Sequence, residues 1–257
     1  MTTEPLAVKP PKRAALKNVA ACMALTRKLL DRPAEMDRLG VFFGPSGYGK
    51  TYASIYVRNK TRARLVEAGA SWDRKTFLGA VLTECGVSGA KGTIAALTQQ
   101  AINALGDEPG RPLIIDEADK LVDRGMVEII RELHDKSRAP VVLIGEEALP
   151  RKLEAIERVH NRVLLWEPAQ PCDLEDCRKL ATIFLPEHAI TDGLLDQVRA
   201  QASGRARRIV TTLTNMEDWA RAHGVRALDE ASYTGGFFTG APPRRVLPEA
   251  EKFGGRA

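Results

Sequence analysis

The sequence predicts an α/β fold in which a five-stranded parallel sheet is flanked by helices and followed by a small all-helical lid. Three observations predict it. Short apolar runs alternate with helix-length segments as far as Trp166, and the first of these runs ends in a glycine-rich turn. After Pro168 the apolar runs stop while the helical segments continue.

The elements follow in order. Residues 1–13, with Pro5, Pro10 and Pro11, read as a flexible basic arm. From Ala14 to Leu30, Leu16, Val19, Ala20, Met23, Leu25 and Leu29 recur at mixed three- and four-residue steps, which makes an amphipathic helix ending before Pro33. Val41–Phe43 is a short apolar strand entering the glycine-rich turn, and a helix follows from Lys50 to Asn59. A second strand is expected at Ala63–Glu67, helices at Asp73–Cys85 and Thr93–Leu105, and a strongly apolar strand at Leu113–Ile115 running into Asp116. A helix at Met126–Lys136 leads to the strand Val141–Ile144, and one continuous helix at Ala148–Val159 leads to the strand Val163–Trp166. The later helices are Asp173–Leu185, Thr191–Ala202 and Arg205–Ala222, and from Ser232 repeated Gly and Pro breaks mark a loosely held tail. The expected organisation is a basic arm (1–13), an α/β unit (14–168), a helical lid (169–226) and a loosely ordered tail (227–257).

Composition narrows the function classes. With 257 residues, 44% apolar and 28% charged, the chain is globular and large enough to bury its own core. No apolar run nears the roughly 18–20 residues of a membrane helix and no secretory leader is evident, so a cytoplasmic protein without a membrane partner is expected. Cys22, Cys85, Cys172 and Cys177 are too scattered for a disulfide framework and read as reduced thiols. Neither the Cys172/Cys177 pair nor His134, His160, His188 and His223 has metal-site spacing. A net charge of +5 permits a polyanionic partner, and the excess clusters at Lys9, Lys12, Arg13 and Lys17 and again at Arg205, Arg207, Arg208, Arg221 and Arg226. Aromatic residues are only 5%, which disfavours a stacking surface for single strands and points to electrostatic, sequence-tolerant contact.

The chemistry is carried by two motifs. GPSGYGKT, from Gly44 through Pro45, Ser46, Gly47, Tyr48, Gly49 and Lys50 to Thr51, fits GxxxxGK[ST] between a predicted strand and a predicted helix. Glycines let successive backbone amides turn inward toward phosphate oxygens, and the helix adds its positive N-terminal end. Lys50 then reaches the β and γ phosphates and Thr51 ligates Mg2+, with Tyr52 following in the first helical turn. In LIIDEAD, Asp116 closes an apolar strand as a second magnesium-side ligand, and Glu117 is the candidate that polarises a water for attack on the γ phosphate. The 66 positions from Lys50 to Asp116 leave room for an inserted strand and its crossover helices. ATP and Mg2+ are the expected cofactors and ATP hydrolysis the expected reaction.

Together GPSGYGKT, LIIDEAD, VVLIG, the arginines of ERVHNRVLLW and the GRARR stretch resemble the AAA+ ATPases over about Leu16 to Ala222. The resemblance implies a site shared between neighbouring subunits, with Arg162, or secondly Arg158, as the arginine offered to the next chain, and Arg207 as the lid's γ-phosphate sensor. One departure stands out: the position after VVLIG, commonly Asn, Thr or Ser in that family, is Glu146 followed by Glu147, and an ionised carboxylate cannot donate to phosphate. The first sensor is therefore left unassigned.

Within AAA+ proteins the series FFGPSGYGKT, LIIDEADKL and VVLIGEE is most similar to the target-selection ATPases of Mu-like transposing phages and related transposons, although the helix-turn-helix domain that precedes the Mu-type module is not seen here. This implies an ATPase that self-assembles, as a helical filament or ring, on double-stranded DNA of any sequence and delivers it to a transposase in the host cytoplasm. Arg74, Lys75, Lys91, Lys120 and Arg124, on loops or helix starts between the strands, are the candidate DNA contacts. Two other readings compete: a replication initiator or helicase loader, and a nucleotide-gated binding module that scarcely hydrolyses.

Overall fold

The computed structural model describes residues 14–241. The arm 1–13, with Lys9, Lys12 and Arg13, and the tail from residue 242 lie outside the described residues.

Five parallel strands form the sheet: β1 (Leu39–Phe43), β2 (Arg64–Glu67), β3 (Leu113–Asp116), β4 (Val141–Gly145) and β5 (Val163–Pro168), in the order β2-β3-β4-β1-β5. Successive strand residues point to opposite faces, and the sequence supplies apolar side chains for both. Leu39, Val41, Leu113, Ile115, Val141 and Leu143 enter one core, whereas Phe42, Ile114, Val142 and Ile144 enter the other. A strand buried on both faces reads as a continuous apolar run, which is why LIID and VVLIG are so plain in the sequence.

Helix α1 (Lys17–Leu30) and helix α2 (Lys50–Thr61) pack together on one face. There Val19, Cys22, Leu25 and Leu29 form the buried stripe of α1. The opposite face is covered by α3 (Arg74–Glu84), α4 (Ile94–Gly106), α5 (Asp119–Val122) and α6 (Val127–Ser137). Side chains fix the starts of two of these: Asp73 Oδ1 accepts from Thr76 N at 2.8 Å and Thr93 Oγ1 from Ala96 N at 3.2 Å. Arg64, 1% exposed at the start of β2, donates to the carbonyls of Ala104 (3.1 Å) and Arg111 (2.8 Å), so a buried guanidinium satisfies the end of α4. The four-residue helix α5 has no counterpart among the sequence expectations.

The helix expected over Ala148–Val159 is two: α7 (Leu149–Glu154) and α8 (Glu157–His160), separated by Ile156 at φ −120°, ψ 79°. Leu149 and Leu153 lie four residues apart and are buried, but the next buried residue is Val159, six further on and off that face. Breaking the helix lets all three enter the core.

The C-terminal helices α9 (Leu174–Phe184), α10 (Asp192–Gln201) and α11 (Ala206–His223) pack on one another. Lys17, counted with the N-terminal basic cluster, is committed here: its Nζ lies 2.7 Å from Asp173 and its backbone N–H donates to Asp176 Oδ1 at 3.0 Å. Strands do not end at Pro168, because a two-residue pair joins β6 (Ala189–Ile190) to β7 (Ala227–Leu228) in parallel. The beginning of the expected loose tail is packed as well. Leu228 and Tyr233 are buried, Tyr233 meets Trp219 edge-on at 5.2 Å, and Phe238 N donates to Thr212 Oγ1 at 3.1 Å.

Candidate functional site

The phosphate-loop motif occupies the turn between β1 and α2, at the carboxyl end of the sheet. Gly47 and Gly49 hold φ of 86° and 83°, the left-handed region that residues with a Cβ avoid. Lys50 opens α2 and folds back, its Nζ donating to the carbonyls of Gly44 at 2.6 Å and Pro45 at 2.9 Å. Burial lowers the Lys50 pKa, opposed by the carboxylates of Asp116, Glu146, Glu117 and Asp119.

Two other parts of the chain grip this loop. Asn18 of α1, 3% exposed, donates through Nδ2 to Tyr48 O at 2.8 Å and to Gln170 O at 2.7 Å, while its Oδ1 accepts from Gln170 N at 2.8 Å. From the start of α11, Arg207 N donates to Gly47 O at 3.2 Å and the Arg205 guanidinium donates to Ser46 O. The same guanidinium sits 5.8 Å over the Tyr48 ring.

Asp116 ends β3 and is 2% exposed. Its Oδ1 accepts from Glu117 N at 2.9 Å, and Ser54 Oγ lies 3.5 Å from its Oδ2. Burial raises the Asp116 pKa, opposed by hydrogen bonds from Thr51 and the Glu117 backbone and reinforced by Glu117 and Glu67. Glu117 takes φ 57°, a strained value for a residue with a Cβ, and so turns away from the strand direction. One cavity of about 230 Å³ gathers Ser46, Gly47, Gly49, Lys50, Thr51, Tyr52, Asp116, Glu117, Gly145, Glu146 and Arg207. Gly44, Pro45 and Tyr48 belong to the same turn, though not to the cavity lining.

Arg162 does not join them. It precedes Val163, which pairs with Leu39 at the first residue of β1, so the length of a strand, roughly 15 Å at 3.3 Å per residue, separates it from the loop. Its Nε lies 3.1 Å from Asp135 and 3.6 Å from Asp37. Arg158 is exposed on α8. These carboxylates and His134 form the one His/Cys/Asp/Glu cluster of metal-site dimensions among the described residues. Both imidazole nitrogens are engaged, however: Nε2 accepts from Arg38 N at 3.1 Å and Nδ1 faces Asp135 Oδ1 at 3.1 Å. All four cysteines are free thiols, and burial pushes Cys22, Cys172 and Cys177 up to about 12.

Of the candidate DNA contacts, Arg74, Lys75 and Arg124 meet around Trp72, Ile94 and Met126 in an open cleft of about 390 Å³, whose one carboxylate, Asp73, is engaged in capping α3. They follow the carboxyl ends of β2 and β3 and therefore share the phosphate loop's end of the sheet. Lys91 is exposed between α3 and α4, whereas Lys120 lies 3.5 Å from Glu117, which lines the cavity beside the glycine-rich turn.

Sequence reasoning missed Asn18 and Ser54, set Asp119 aside as a solvated carboxylate, and saw Arg205 only as part of a basic cluster. For Asn18 there was a signal, a polar residue beside Val19 and close to the apolar stripe of the first helix; for Ser54 there was none.

Residues 34–153 match a family model described as an AAA domain. Comparison with curated proteins returns no match. Among solved structures the chain is similar to the ORC2 protein of Aeropyrum pernix, described in ADPNP-ADP complexes (TM-score 0.64, 17% identity, covering 88% of this chain and 68% of that one). It is also similar to Cdc6p from Pyrobaculum aerophilum (0.60, 14%, 86% and 66%) and to A. pernix ORC1 in complex with DNA (0.59, 16%, 83% and 62%). The chain thus spans about two thirds of the length of these proteins. At such identities the likeness is one of fold: a five-stranded parallel sheet flanked by helices, the AAA+ P-loop fold.

Proposed function

We propose that this chain binds and hydrolyses ATP and uses the nucleotide state to control its grip on DNA, as a replication initiator or helicase loader. The observation that carries the reading is the convergence of Lys50, Thr51, Asp116, Glu117 and Arg207 on one cavity at the carboxyl end of the sheet. The loop amides and Lys50 hold the phosphates, and Glu117 takes the proton of an attacking water. Arg207, on the helix bonded to the phosphate loop, links the lid to the terminal phosphate.

The residues also fit Mg2+. Thr51 and Asp116 are oxygen donors on adjoining elements, and the buried carboxylate has more hydrogen-bond and cation capacity than its protein partners use. The ion would supply charge neutralisation on the phosphate oxygens. Arg162, remote from its own loop, is the candidate for a second copy's nucleotide, which it would reach by giving up its pairing with Asp135 and Asp37.

DNA contact is assigned to Arg74, Lys75 and Arg124 with Trp72, since three cations at the rim of one cleft suit a phosphate backbone. Lys91 is a lesser contributor, and Lys120 is set aside because of Glu117. Between the readings that the sequence left open, the likeness to ORC and Cdc6 proteins supports the initiator or loader, while transposition and a transposase partner gain no support from any comparison.

Phosphate release by the purified chain with Mg2+, with and without duplex DNA, tests the reading. Lys50→Ala and Glu117→Gln are each expected to lower turnover by about 10²-fold or more. Turnover unchanged in both would refute the site. Arg74→Ala/Arg124→Ala is expected to weaken DNA binding and reduce the salt slope by about 2. Electron microscopy with ATP and plain duplex separates the two biological roles: closed rings or small assemblies fit the initiator, continuous filaments the transposition ATPase.

A further inference from the structure

The nucleotide cavity holds a third carboxylate that neither phosphate binding nor metal binding requires. Asp116 and Glu117 both leave the end of β3, whereas Glu146 arrives from β4 and lines the cavity together with Lys50 and Arg207. Glu146 is exposed, and its side chain makes no ion pair or hydrogen bond among the described residues, although its field reaches Lys50.

Its backbone, by contrast, is tightly fixed. Glu146 N donates to Asp119 Oδ2 at 2.7 Å, and Asp119 is itself buried. Gly145 allows this approach, since a Cβ there would fall 2.1 Å from that oxygen. Gly44 N donates to Gly145 O at 3.2 Å and Ala118 N to Ile144 O at 2.8 Å, so the phosphate loop, the end of β3 and the end of β4 are one bonded unit. Glu146 cannot leave the cavity by drift of its strand; only its own rotamers can move the charge.

We propose that Glu146 sets nucleotide selectivity by opposing the terminal phosphate, so that the site holds triphosphate less tightly, relative to diphosphate, than its cations alone would dictate. The inference rests on the nucleotide-site reading above. An ionised carboxylate has no proton to donate to a phosphate oxygen, and like charges a few ångströms apart in a partly enclosed site repel substantially. The diphosphate ends short of the extra charge and escapes most of that repulsion.

The experiment is a calorimetric titration of the full chain and of Glu146→Gln with ADP and with the imido analogue of ATP, each with Mg2+. Glu146→Gln is expected to tighten the triphosphate analogue by about tenfold while changing ADP less than about twofold. Glu146→Asp, which keeps the charge, is expected to retain the parent ratio. Equal shifts for both nucleotides, an unchanged ratio, or a weakened triphosphate, which would make Glu146 a support for the metal, each overturn the proposal. A parent chain that binds neither nucleotide refutes the site itself, an outcome distinct from the others.

Discussion

Replacing Asn18 by Ala tests how the phosphate loop is held. The amide makes three hydrogen bonds, to Tyr48 O, Gln170 O and Gln170 N, at 2.8, 2.7 and 2.8 Å, and the residue is 3% exposed. Alanine removes all three and leaves two carbonyls and one N–H without their partner. At about 1 kcal/mol net per bond the loss is about 3 kcal/mol. For a chain of this size, where 1 kcal/mol is worth roughly 2–4 °C, the melting midpoint should fall by about 6–12 °C. Asn18→Asp should do no better, since it keeps the acceptor but sets a carboxylate against two carbonyl oxygens. The assay is thermal unfolding followed by circular dichroism, paired with ADP titration at a temperature where both proteins are folded. Nucleotide affinity should drop as well, because Tyr48 lies in the phosphate loop. A midpoint within 1–2 °C of the parent, with unchanged affinity, would show that the amide is solvated and that the loop is held by other means.

Gly145→Ala puts a Cβ 2.1 Å from Asp119 Oδ2 and 2.6 Å from Leu149 Cδ2, so the carboxylate must withdraw from Glu146 N; a loss of about 2 kcal/mol is expected in urea unfolding. An unchanged urea midpoint would mean that β4 shifts freely. Asp116→Asn should separate stability from activity. Burial raises the Asp116 pKa, so the folded chain holds this proton more tightly than the unfolded one, and stability declines as pH rises from the ordinary carboxylate value to the raised one and stays reduced above it. Without nucleotide or Mg2+, Asp116→Asn should therefore melt higher than the parent at pH 7.5, by a margin that shrinks toward pH 4, while ATP turnover is lost; a lower melting point at pH 7.5 would contradict it.

The sheet was legible because its central strands are buried on both faces and so appear as unbroken apolar runs, Leu113–Ile115 and Val141–Ile144. The phosphate loop was legible because its glycines answer a backbone requirement local to the chain, as the φ values of Gly47 and Gly49 express. What escaped depends on contacts between distant segments. Asn18 meets Gln170 across 152 positions, and Arg205 meets Ser46 across 159, with no periodicity to announce either. The break at Ile156 was hidden for another reason: Leu149 and Leu153 follow helical spacing, and only the destination of Val159 requires the bend. Likewise the β6–β7 pair is two residues long, too short for any alternating pattern.

That short pair governs where the polypeptide tolerates being shortened. A fragment ending at Arg226, just after the last long helix, would discard Leu228, 1% exposed, and Tyr233, 8% exposed, and would uncover Trp219 and the edge of Ile190. Such a fragment would expose a greasy seam and tend to clump on expression. One ending at Ala241 keeps the seam covered, since Leu228, Tyr233 and Phe238 all remain in place.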